Sequence, residues 1–303
     1  MATNVQIQPV ADTNANGYAL SPLQTIDDEV SGAVIKGLIS EDGLRVSEAV
    51  YWEHYYSHPD FDYEWNDGVL EEKPMSDYVK YAMYEWLVAL LREYLKVHPI
   101  ARKMALEMGF RLKLAGKVTV RKPDLFVVRH DNPIALNDLD RTYKGVCDLC
   151  IESISDSTKR EVERDTIHKK SEYADVGVRE YFILDPSGEH TAFYQRTATG
   201  DYDDINLGAE GIISSEVLPG FQFRVIHLYQ QPQFTDLVED EVYRGYLMLE
   251  YQAERVYAQQ ERMRADQEHM RADQERIRAE QAHTRAERLA AKLRALGIEE
   301  ETL

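Results

Sequence analysis

The sequence predicts an α/β or α+β domain, a mixed β-sheet flanked by helices, followed by a long C-terminal helix. Three observations carry this. Short apolar runs bounded by Pro, Gly and Asn recur through the middle of the chain, as strands do. Two helical stretches, before Pro99 and before Gly177, interrupt them. From about Asp236 the chain turns polar and repeats every seven residues. The expected division is a disordered tail at 1–30, a main domain at 31–235, and a charged helix or weak coiled coil at 236–303.

The elements follow in order. "SEAVYWEHYYS" reads as a short helix with Ser47 as its N-cap. "FDYEWNDGVLEEKP" is a hairpin, with aromatic flanks around Asn66-Asp67-Gly68. "SDYVKYAMYEWLVALLREYLKVHP" is a helix capped by Ser76 or Asp77. Its apolar stripe is Val79, Met83, Trp86, Leu87, Leu90, Leu91 and Leu95, and Pro99 ends it. Strand-like segments come next: "KMALEMGFRLKL", "KVTVRKPDLFVVR" and "GVCDLCIESI". "DSTKREVERDTIHKKSEYADVG" reads as a helix closed by Gly177. "REYFILDPSG" is a further strand and "EHTAFYQRTATGDYDDI" a hairpin. One mixed sheet is expected to gather these strands.

Composition narrows the class. Of 303 residues 44% are hydrophobic, enough for a sizeable core. No apolar run approaches the roughly 20 residues that span a bilayer, so no membrane association is expected. The N-terminus lacks the basic start and apolar stretch of a secretory leader, which points to a cytoplasmic location. The net charge of −19 argues against indiscriminate nucleic-acid binding. The acidity is uneven, however. Between Pro99 and Pro123 lie Arg102, Lys103, Arg111, Lys113, Lys117, Arg121 and Lys122, with Glu107 the only acid. This island reads either as a solvated hairpin face or as a local phosphate-binding patch. Cys147 and Cys150 lack the second pair that a structural zinc needs. They are expected to be buried on opposite faces of a strand.

In the C-terminal segment Met263, Met270, Ile277, Thr284, Ala291 and Ile298 share one heptad position. Gln260, Gln267, Gln274, Gln281 and Arg288 lie three residues earlier. Only one of the two seam positions is apolar. Two readings stand: a solvated single helix, or an arm that dimerises or binds a protein partner.

The chemistry centres on Asp124, which heads the apolar run "LFVV". Glu152 ends the next strand-like run, so two carboxylates can converge at neighbouring strand ends. Such an oxygen pair, completed by water, is what Mg²⁺ requires. Asp165 and Lys169 are four apart on one helical face. A lysine aimed at that cluster could orient a water or stabilise phosphorane charge. Each also has a plainer reading: a solvated strand end, a turn cap, a surface ion pair.

Together these segments resemble the restriction endonuclease-like family within the PD-(D/E)xK nuclease superfamily. Glu64 and Asp67-Gly68 match its first element. Asp124 matches the second, and Glu152, Ser155, Ser157 and Thr158 the third. Asp165, Lys169, Tyr173, Gly177-Val178, Glu180-Tyr181 and Asp185 match the last. The resemblance covers about residues 45–230. It implies a restriction endonuclease-like fold and a metal-dependent DNA endonuclease, acting as a homodimer with Mg²⁺ or Mn²⁺. Asp124, Glu152 and Lys169 would be catalytic, and Asp124, Glu152 and Glu64 would hold the metal, with Asp165 an alternative third ligand. Three features depart from the pattern. Ile154 stands where the superfamily lysine sits, which moves that role to Lys169 or, second, Lys170. Asp156 replaces the usual Pro. No histidine lies between His58 and His98. These departures keep a rival open: a catalytically silent nuclease fold that works as a scaffold through its C-terminal helix.

Overall fold

The computed structural model describes residues 39–105, 107–154 and 158–295. The expected N-terminal tail, Ser155, Asp156, Ser157 and Ile298 lie outside them. Ser47 caps the helical turn Glu48–Val50, its hydroxyl accepting from the Val50 N–H, and a π-helical turn, Tyr51–Tyr55, continues it. Strands β1 (Tyr63–Asn66) and β2 (Val69–Glu72) form the expected hairpin. Its two-residue turn sets Asp67 and Gly68 at φ 48° and 94°. Positive φ at both positions is what matches the twist of the flanking strands.

The helix Tyr78–Val97 is capped by Asp77, whose side chain accepts from the Lys80 N–H. Its buried face is Met83, Trp86, Leu87, Leu90, Leu91 and Tyr94. Val79 is exposed, because it lies one turn before the helix reaches the sheet. Strands β3 (Ala101–Met104), β4 (Phe110–Leu114), β5 (Lys117–Arg121), β6 (Leu125–Arg129) and β7 (Leu149–Ser153) follow. The helix Lys159–Glu163 opens with a capping box between Thr158 and Glu161. It widens into a π-helical turn, Arg164–Lys169, and continues as Lys170–Val176, ending on Gly177 at φ 99°. Then come β8 (Glu180–Leu184), β9 (Ala192–Arg196), β10 (Tyr202–Asp204), β11 (Ile212–Ser214) and β12 (Gln222–Arg224).

The strands do not form the single sheet expected. They form a four-stranded sheet in the order β2-β1-β5-β4, a six-stranded sheet in the order β10-β9-β8-β7-β6-β3, and the small pair β11-β12. The segment read as one run, "KVTVRKPDLFVVR", is where the chain changes sheets. Pro123 has no N–H to offer a ladder, so β5 ends and β6 begins on either side of it. In the six-stranded sheet only β7 and β8 pair in parallel. β6, β7 and β8 are buried on both faces, which explains their continuous apolar runs. One face packs Leu125, Val127, Leu149 and Ile151 beneath the helix Tyr78–Val97. The other packs Phe126, Val128, Cys150 and Ile154 against Phe110 and Tyr173.

Two further expectations are corrected. Cys147 and Cys150 are buried and free, but their sulfurs lie 3.1 Å apart in one core cluster. Cys147 precedes β7, so strand alternation does not govern it. The main domain also runs past 235. Leu237, Val242, Tyr243, Tyr246 and Leu247 are buried in its core. The exposed helix, Leu249–Ala295, begins only after them, and no described helix is long and apolar enough to cross a membrane.

Candidate active site

Asp124 sits immediately before β6, and Glu152 within β7. The antiparallel register pairs Leu125 with Ile151, so one step further sets Asp124 opposite Glu152. Directly opposed residues share a face. That face is the one carrying Phe126 and Cys150. The Ser153 N–H donates to Asp124 Oδ2 at 2.7 Å, holding the carboxylate across the strand ends.

Lys169 comes from the π-helical turn. The wider turn brings Arg164, Asp165 and Lys169 all inward, where each is buried. Lys169 Nζ lies 3.0 Å from Glu152 Oε1, 3.2 Å from Asp165 Oδ1 and 3.4 Å from Glu64 Oε1. The Tyr173 hydroxyl donates to the same Glu152 oxygen at 2.8 Å. Asp124, Glu152 and Lys169 thus meet in one place. Lys170, the second choice for the lysine, points elsewhere, its ammonium 3.7 Å from the centre of the Tyr194 ring.

Sequence reasoning missed Lys73. It leaves the β1-β2 hairpin at "EEKP" and donates to Asp124 Oδ1 at 2.8 Å and to the Lys122 carbonyl at 2.6 Å. It also missed Tyr84, whose hydroxyl donates to the Asp124 carbonyl at 3.0 Å. No local pattern marks either residue; only the folded hairpin and helix deliver them. A cleft of about 640 Å³ opens over these groups, lined by Lys73, Asp124, Glu152, Arg164, Asp165 and Lys169 among others.

The electrostatics follow from burial among charges. Burial alone would lower the pKa of Lys169 and Lys73. The carboxylates around them outweigh it and hold both well above the ordinary lysine value. Both are therefore ammonium ions. Burial would raise Asp124, but Lys73 and Lys169 keep it below the usual carboxylate range. Glu152 goes the other way: burial, with the Asp124 charge adding, pushes it up to about 7 against the pull of Lys169.

A divalent ion of the type the motif implies seeks hard oxygen donors. Asp124 and Glu152 fit that need, and the Lys73 ammonium against Asp124 is a tethered stand-in for such a cation. Glu64 does not fit as a third ligand. Its Oε1 accepts the Lys122 N–H at 2.8 Å and its Oε2 accepts from Arg121 at 3.0 Å. Among the described residues, no three His, Cys, Asp or Glu side chains gather closely enough to enclose a metal. The donors available to such an ion would thus be a pair of carboxylates, with remaining positions left to water or substrate.

The basic island is not an open phosphate patch. Arg121 is fully buried, its guanidinium shared by Glu64, Glu71 and Glu172. Lys122 is buried against Asp62. Lys117 pairs with Glu172, Arg111 with Glu48, and Arg102 with Asp138. Acids distant in sequence pair with five of its seven members, and among the described residues Lys103 and Lys113 make no ion pair.

No curated protein matches the chain. A solved structure from Anabaena variabilis, described as "a putative nuclease belonging to DUF820", aligns at a TM-score of 0.47 and 15% identity. The alignment covers 61% of this chain and 98% of that one. The model of a family described as "Putative restriction endonuclease" matches residues 50–226, which include β1 to β12 and every site residue above. The chain belongs to that family, Uma2.

Proposed function

We propose that the chain is a metal-dependent endonuclease that hydrolyses phosphodiester bonds in DNA. The observation that carries this reading is the shared face of Asp124 and Glu152 with the Lys169 ammonium 3.0 Å from Glu152, all lining one open cleft. Asp124 and Glu152 would hold Mg²⁺ or Mn²⁺, which when bound supplies positive charge to the phosphate and its leaving oxygen. Lys169 is a fixed ammonium, so it acts by charge. It orients the attacking water and stabilises the negative charge that develops on the phosphorane. Tyr173 and Lys169 together fix the Glu152 carboxylate. Lys73 and Arg164 line the cleft and contribute positive charge to it.

The rival reading, a silent nuclease fold kept as a scaffold, has one observation in its favour: the pairing of five of the basic island's seven members with acids of the same chain. Incubation of an end-labelled DNA duplex with Mg²⁺, Mn²⁺ or EDTA separates the two. The nuclease reading expects metal-dependent shortening that Asp124→Ala and Glu152→Gln abolish. No shortening with either ion favours the scaffold.

A further inference from the structure

We infer that the helix Leu249–Ala295 is one strand of a parallel, in-register coiled coil with a second copy of this chain. The helix carries no buried residue, and among the described residues its contacts with the main domain are confined to its first turns, where Arg255 pairs with Glu239 and Gln252 donates to the Leu247 carbonyl. Yet Val256, Met263, Met270 and Ile277 recur at seven-residue intervals, each about half exposed or more. With these at heptad position d, position a holds Gln260, Gln267, Gln274 and Gln281.

The charges name the occupant. Position g is Asp266, Asp273, Glu280 and Glu287, and position e is Arg271, Arg278, Arg285 and Lys292. Each acid therefore stands five residues before a base. On one helix, residues five apart are not neighbours; the supporting spacings are three and four, and Glu261–Arg264 and Asp273–Arg276 pair at three. From Glu250 to Glu287 no acid has a base four residues later. Among the described residues Arg271, Arg278 and Arg285 make no ion pair. The helix thus supports itself in part but, among the described residues, leaves these position-e bases without a partner on their own chain. Between two parallel helices, g of one meets e of the next heptad on the other, and every one of these contacts joins opposite charges. An antiparallel pair would set acids against acids. The surface complements itself, so the second helix is the same chain, related by a two-fold axis. Glutamine at a weakens the seam and fixes its register, so the arm associates reversibly. Parallel pairing brings both nuclease-fold domains to the Leu249 end. This inference does not depend on the site being active.

Sedimentation of the full chain tests it. The wild type should be a dimer. Arg271→Glu/Arg278→Glu/Arg285→Glu should weaken self-association by about a hundredfold, as three contacts, each made twice, turn repulsive. Asp266→Arg/Asp273→Arg/Glu280→Arg should do the same, and an equal mixture of the two should dimerise again. Met263→Cys should cross-link to itself under oxidation; the native cysteines are buried. A monomeric wild type, a mixture that stays monomeric, or Met263→Cys that links only to Ile277→Cys would overturn the inference.

Discussion

Lys73 Nζ stands 2.8 Å from Asp124 Oδ1, so a side chain of this protein occupies the flank of the carboxylate that a metal would use. The two are 51 positions apart in sequence. The contact implies competition. Lys73→Met should tighten Mn²⁺ binding about tenfold, or about 1.4 kcal/mol, by removing the competing cation. Isothermal titration of wild type and variant measures it. Unchanged or weaker binding would show that Lys73 supports the metal position instead.

Arg121 pairs with three carboxylates inside the protein, Glu64, Glu71 and Glu172. Removing one member of such a buried set leaves charge uncompensated, at about 3–5 kcal/mol. Arg121→Met should lower the stability by that order in urea unfolding. Arg121→Lys should recover only part, because lysine lacks the fork that engages Glu172 through two nitrogens.

The same cluster sets a pH dependence. Burial would raise Glu64 and Glu71, but Arg121, with Lys169 acting on Glu64, holds both below their ordinary value of 4.5. A depressed carboxylate contributes stability above its unfolded pKa and loses it as pH falls through the folded one. The contribution of Glu64 and Glu71 to stability should therefore hold down to about pH 4.5 and decline below it. Unfolding midpoints across that range measure this. A flat profile into acid would mean that the cluster contributes nothing to folding.

Lys122 and Lys117 should act on stability and not on DNA. Both are paired internally, Lys122 with Asp62 and Lys117 with Glu172. A phosphate contact contributes about 0.9 to the log–log salt slope of binding. Anisotropy across a salt series should give Lys122→Ala and Lys117→Ala the wild-type slope, with unfolding midpoints lowered.

How much of this was legible depended on sequence distance. Asp124, Glu152, Asp165 and Lys169 each carry a local mark: a carboxylate heading an apolar run, another closing one, and a pair four apart on a helix. The π-helical turn at Arg164–Lys169 had no such mark, although it is what buries Lys169. Lys73 and the acids around Arg121 are brought in by pairing between distant segments, so their contacts had no periodicity to read. The ion-pair partners of the basic island were hidden for the same reason. The change of sheet at Pro123 was hidden because two strands that continue in sequence look like one. The segment Leu237–Leu247 packs its apolar residues without a regular period, and the boundary was therefore placed too early.

The central claim is that Asp124, Glu152 and Lys169 form one metal-dependent hydrolytic site. Its most direct test is conversion of supercoiled plasmid to nicked and linear forms by the purified full chain, with Mg²⁺ or Mn²⁺ and with EDTA. Asp124→Ala and Lys169→Met, shown to be folded by circular dichroism, run in parallel. The account predicts cleavage by the wild type only with metal, lost by at least about a hundredfold in each variant. Wild-type protein that leaves the plasmid intact with either ion, or variants that cleave as fast as wild type, would contradict it.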